Sequence, residues 1–244
     1  MATEIALVFL FGLITALATG LGAVPFAFLK RISARTTSLA NAVASGLMLG
    51  ASSGLIIEGS AYGAWQTMVG AGSGIAFILL GERFLAHQPE FEFGRLTGSG
   101  AKQAFLVLAT MTVHSFSEGV AVGVAFGGGK ELATLITLAI AVHNVPEGLA
   151  ISAVMRPKGA SVMACAGWSI FSSLPQPLMA VPAFIFVEVF KPFLPYGLGF
   201  AAGAMVFMVF LELLPEAYEG ESKAAIGLSV TITLGLMMLF QLYL

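Results

Sequence analysis

Two short stretches, HSFSEG at 114–119 and HNVPEG at 143–148, each set a histidine four residues ahead of a glutamate inside an otherwise apolar run. Residues four apart on an α-helix lie one above the other on the same face. His114 with Glu118, and His143 with Glu147, therefore each offer an imidazole and a carboxylate side by side. Such donors suit Zn²⁺, Fe²⁺, Mn²⁺ and their relatives, with geometry and availability deciding among them. A hydrogen bond between helices would explain one such pair. Two pairs with the same residue order favour a shared cation site. Asn144 and Ser115, each next to a histidine, are weaker candidate ligands, because such side chains more often bridge helices.

The elements that must carry these residues are membrane spans. The chain of 244 residues is 58% hydrophobic and 10% charged, with a mean hydropathy of +0.95. A soluble domain carries about 25% charged residues, so this chain lacks the charges to cover a water-facing surface. It contains no Asp, its 13 acidic residues are all Glu, and its formal net charge is −2. Nucleic-acid binding needs a basic patch, and that balance argues against one. The single Cys165 excludes an intrachain disulfide and a thiolate-built zinc site. Crossing a bilayer takes about 20 apolar residues per helix. The polar punctuation gives eight such pieces, at 4–29, 36–58, 65–85, 103–127, 131–155, 160–187, 196–214 and 224–244. Barrel strands would be about 10 residues long and alternating, which these are not. The expectation is an all-α polytopic membrane protein, residues 1–244 forming a single transmembrane domain. The first piece is too long for a leader core and lacks a basic start, so it is expected to persist as a span.

Lys and Arg concentrate on the cytoplasmic side of short loops. Lys30, Arg31, Arg35, Arg83, Arg95, Lys102, Arg156, Lys158 and Lys223 fall on one side, against Lys130 and Lys191 on the other. That places both termini outside the cytoplasm of a cell membrane, plasma or inner. The one sizeable loop, 86–102, is then cytoplasmic, and its lone His87 needs no metal role.

The GGGKE connector makes the fourth and fifth spans antiparallel neighbours, which brings both pairs to one point near mid-membrane. A charged residue there costs about 2.5–3.5 kcal/mol on insertion scales. No Lys or Arg lies within either span, so a divalent cation is the expected compensating charge. Pro146 removes one backbone hydrogen bond and frees the Val142 carbonyl, which predicts a kink in the fifth span. Ser117 holds the matching position in the fourth span, which should be straighter. Gly119 and Gly148, with Ala121 and Ala150 beyond, permit close helix approach.

HNVPEG resembles the signature of the ZIP (Zrt/Irt-like protein) family of divalent-metal transporters, and HSFSEG resembles its partner on the preceding helix. ATGLGAVPF (18–26), SSLPQPLMA (172–180) and AAGAMVFMVFLELLPEA (201–217) resemble the family's first, sixth and seventh helices. The resemblance covers essentially the whole chain. It implies eight spans arranged 3+2+3, the outer triplets related by an inverted repeat. GLMLGASSGL (46–55) and GAMVFMVFL (203–211) loosely echo each other in support. It also implies a primary metal site of His114, Glu118, His143 and Glu147, and a second site at Ser115, Asn144, Glu147 and Gln176. Gln176 stands there in place of a glutamate. Two carboxylates cannot neutralise two divalent ions, so one ion at a time is expected. Glu212 is a candidate exit-path ligand, and Glu58 and Glu188 lie near the outer face.

The function these features imply is transport of a divalent transition metal toward the cytoplasm, zinc first, with iron, manganese or cadmium as further substrates. The metal is cargo and no prosthetic group is expected. The partners are the ions, the lipid bilayer and, through the resemblance and the small-residue stretch GAGSG (70–74), a second copy of the chain. The alternatives are a channel with the same site and an intramembrane metalloenzyme. The enzyme is disfavoured because HExxH puts its Glu beside the first His, and di-metal bundles use Glu-x-x-His with extra carboxylates.

Overall fold

A computed structural model describes residues 2–29, 32–86 and 99–242. Among these residues every regular element is helical: α1 (Ala2–Leu21), α2 (Pro25–Phe28), α3 (Ala34–Ala86), α4 (Ser99–Gly128), α5 (Lys130–Met155), α6 (Val162–Ser173), α7 (Pro175–Val189), α8 (Leu194–Met208), a π-helical segment (Val209–Leu213), α9 (Leu214–Glu219) and α10 (Lys223–Leu242), with two short 3₁₀ turns. Among the described residues, six helical stretches are long and apolar enough to cross a bilayer: Ala2–Phe28, Ala34–Gly81, Lys130–Met155, Val162–Val189, Lys191–Glu219 and Lys223–Leu242. The segment expected as a cytoplasmic loop falls largely outside the described residues, and His87 and Arg95 with it.

Where the sequence suggests two spans, at 36–58 and 65–85, α3 covers 53 residues as two helices joined across a kink. A straight helix of that length would reach roughly 80 Å, against about 30 Å of hydrocarbon. It does not run straight. Gly63 leaves the helical dihedrals (φ 167°, ψ 104°). Beyond it the chain bends back so far that a Cβ on Gly59 would lie 2.8 Å from the Thr67 hydroxyl. The Thr67 hydroxyl donates to the Gly63 carbonyl at 2.9 Å.

Prolines shape the other interruptions. The first helix ends at Leu21 and restarts at Pro25, while α6 ends at Ser173 and restarts at Pro175. Proline suits the first turn because its missing N–H would have no partner there. The fifth span carries its proline inside the helix. Despite the internal Pro146, α5 is helical from Lys130 to Met155.

Glycine contacts sort the helices into two groups. In the first, α1 meets α5, α1 meets α7, and α4 meets α7 backbone to backbone. A Cβ added at Gly148 would strike the Thr19 carbonyl, one at Gly12 would reach the Pro177 backbone, and one at Gly119 the Gln176 backbone. In the second group, Gly46 of α3 abuts the Val230 carbonyl of α10, and Gly70 and Gly74 abut the Tyr196 and Phe200 carbonyls of α8. Two glycines of the GAGSG stretch are thus occupied by packing within the chain. Gly81 on Val113, Gly128 on Glu58, and Gly197 on Val124 join the groups through side chains. The largest apolar cluster lies across that junction, with Met48 and Leu55 of α3, Val122 of α4, Ile136 and Ile140 of α5, and Leu198 and Met205 of α8.

Candidate metal site

Three residues converge. Glu118 of α4 and His143 and Glu147 of α5 each bring a ligand atom to within 4.8 Å of the others, all three side chains buried. His143 Nε2 lies 3.1 Å from Glu118 Oε1 and 3.1 Å from Glu147 Oε1. The four-residue spacing of HNVPEG produces the second contact. The first requires α4 and α5 to run antiparallel, which the reversal at Gly129 (φ +134°) provides. That backbone conformation is one glycine adopts without a Cβ penalty.

His114 takes a different place from the one expected. It is buried on α4, a turn before Glu118, and its Nε2 lies 3.4 Å from Glu212 Oε2 rather than in the three-residue cluster. Glu212 sits in the π-helical segment, a form found mostly as single turns near functional sites. Glu212 is thus in contact with one of the histidine–glutamate pairs, which helix spacing alone does not reveal.

Asn144, Gln176 and Ser115 gather on the far side of Glu118. Asn144 Nδ2 donates to the Thr15 carbonyl at 2.8 Å and to Gln176 Oε1 at 3.1 Å. Gln176 Nε2 donates to Glu118 Oε2 at 2.5 Å and reaches Ser115 Oγ at 3.4 Å. The contact of Gly119 with the Gln176 backbone presses α4 onto the start of α7 and sets this register. The contact of Gly148 with the Thr19 carbonyl does the same for α1 and α5. Thr15 is the participant sequence reasoning missed, since a carbonyl carries no side-chain signal. Ser117, the counterpart of Pro146, donates to the His114 carbonyl at 2.8 Å and stays within its own helix.

The polar atoms left over indicate what the site can hold. Both ring nitrogens of His114, Nδ1 of His143, Oε1 of Glu118, Oε2 of Glu147 and Oδ1 of Asn144 are buried without a hydrogen-bond partner. Buried polar atoms are rarely left so. Among the described residues no ion pair brings a Lys or Arg to Glu118 or Glu147. Carboxylate oxygens and imidazole nitrogens gathered with no Lys or Arg among the described residues paired to them fit a divalent ion.

Apolar helices of bilayer length around a buried His/Glu cluster define a polytopic membrane protein that handles cations. The family profile described as ZIP Zinc transporter matches residues 92–242. The chain is 32% identical over 241 residues to zinc transporter ZIPB of Bordetella bronchiseptica, covering 92% of this chain and 75% of that one. It is 44% identical over 237 residues to a candidate zinc transporter of Arabidopsis thaliana, covering 96% of this chain and 38% of that protein. Zinc transporter GufA of Myxococcus xanthus is 32% identical over 144 residues, 58% of this chain and 57% of GufA. The chain thus spans less than two thirds of the Arabidopsis protein and of GufA. The chain belongs to the ZIP family, and it is an integral membrane protein.

Proposed function

We propose that this protein carries a divalent transition metal, zinc foremost, across a cell membrane toward the cytoplasm. The observation that carries this reading is the buried cluster of Glu118, His143 and Glu147, its ligand atoms within 4.8 Å and two of its carboxylate oxygens without partners. The two carboxylates balance one divalent ion, which removes the cost of leaving them charged in the membrane. Zinc is favoured because the relatives are named as zinc transporters. Iron, manganese and cadmium share the donor preference.

His114 and Glu212 form the next station on the way out. Their 3.4 Å approach gives the ion a nitrogen and an oxygen one helical turn from Glu118. The chain, residues 1–244, acts as one transport domain of eight crossings arranged 3+2+3, with α3 supplying two across the bend at Gly63. Both termini lie outside. Arg35, in the first turn of α3, pairs with Glu221 at 2.5 Å, so the start of α3 shares an end with the α9–α10 junction. The helices that carry the site move against the rest, as alternating access between repeats requires. A pairing of two copies draws support from Gly72, which has open space where a Cβ would go.

The test is zinc uptake into proteoliposomes. Wild type should show saturable uptake, and His143→Ala and Glu147→Ala should lower it by more than the roughly 10–100-fold that losing an outer-shell partner costs. Folded wild-type protein without metal-dependent flux would overturn the proposal.

A further inference from the structure

The hydrogen bonds behind Glu118 form a chain with a fixed direction. It runs from the Thr15 carbonyl through the Asn144 amide and the Gln176 amide to Glu118, and all four residues are fully buried. A backbone carbonyl only accepts. The atom of Asn144 that faces it must therefore be the nitrogen, whose second hydrogen then goes to the Gln176 oxygen. Once that oxygen is taken, Gln176 can turn only its NH₂ group toward Glu118 and Ser115. Two helix contacts hold this arrangement, Gly148 on the Thr19 carbonyl and Gly119 on the Gln176 backbone.

We infer that Gln176 is the specificity-determining residue that limits the site to a single cation. Its amide hydrogens occupy the space beside Glu118 Oε2 that a second ion would need. An amide NH₂ group presents partial positive charge, so it satisfies one carboxylate oxygen and repels a cation from the same place. The other oxygen, Oε1, has no hydrogen-bond partner and faces His143. Gln176 thereby divides the labour of the carboxylate, one oxygen for the protein and one for the cargo. Charge points the same way. Glu118 and Glu147 balance one divalent ion, and a second would bring two buried positive charges with no anion to meet them. This inference rests on the reading of Glu118, His143 and Glu147 as the cargo site.

The experiment is equilibrium dialysis of the purified full chain against Co²⁺ at mildly alkaline pH, with bound metal counted and the visible absorption of Co²⁺ recorded. Wild type should bind one ion per chain. Gln176→Glu keeps the shape of the side chain but replaces the donor with a carboxylate, and it should bind two, the second ion adding its own absorption. Wild type that binds two ions overturns the inference, whatever the variant does. A folded Gln176→Glu protein that still binds one overturns it as well. Glu147→Gln separates this from the reading beneath it. If wild type binds one ion and Glu147→Gln none, the cargo site stands and only the role of Gln176 is in question. If wild type binds no ion, both fall.

Discussion

The two histidines of the paired motifs have different surroundings, and their loss should have different consequences. His143 touches both carboxylates at 3.1 Å, whereas His114 faces Glu212 at 3.4 Å. His114→Ala and Glu212→Gln should therefore leave Co²⁺ affinity little changed while slowing zinc uptake at least severalfold. Titration of the purified variants beside their uptake rates checks this. Equal loss of binding in His114→Ala and His143→Ala would return His114 to the first ligand set. Much of this site was legible in the sequence, since the His-x-x-x-Glu spacing nominates four residues and the structure brings three of them together. His114 parts from them because its partner comes from α9's neighbour, the π-helical turn, and no 3.6-residue period reveals a π turn in advance. The resemblance grouped Asn144 with Gln176, but the hydrogen bond between them was not legible, because it depends on how closely α1, α4, α5 and α7 approach.

At the scale of elements, glycine sets those approaches. A methyl group at Gly148 would collide with the Thr19 carbonyl, so α1 and α5 would have to separate. The Thr15–Asn144 hydrogen bond at 2.8 Å would go with them. Overpacking of this kind costs about 1–3 kcal/mol. Gly148→Ala should lower the thermal midpoint in detergent and weaken Co²⁺ binding. Gly167→Ala, where nothing lies within 4 Å of the new methyl group, should do neither. Span positions were legible because apolar runs and prolines mark them, and the breaks before Pro25 and Pro175 fall where proline stands. The bend at Gly63 was legible only as a weak polar interval, because Glu58, Ser60 and Gln66 do not themselves stop a helix. Pro146 differs from these, since α5 is helical on both sides of it.

Across the whole molecule, the two helix groups join through side chains such as Val124 against Gly197. Relative movement there would leave the backbone contacts inside each group intact. A Cβ on Gly197 would lie 3.5 Å from that of Val124, within the window of about 3.5–4.5 Å for a disulfide. In a Cys165→Ala background, Val124→Cys with Gly197→Cys should form that bond on oxidation. Zinc uptake should then stop, recover on reduction, and leave Co²⁺ binding in place throughout. Uptake unaffected by a fully formed cross-link would mean that the groups do not move against each other at this point.

The Thr15 carbonyl has a consequence for how the chain can diverge. Every amino acid in a helix offers that oxygen, so the first link of the polar chain survives almost any replacement at position 15 that still packs. Gln176 has no such freedom, because its side-chain amide is what donates to Glu118 Oε2. A descendant could thus change its ion count through one codon, while the atom that orients the amides stays invisible in any alignment.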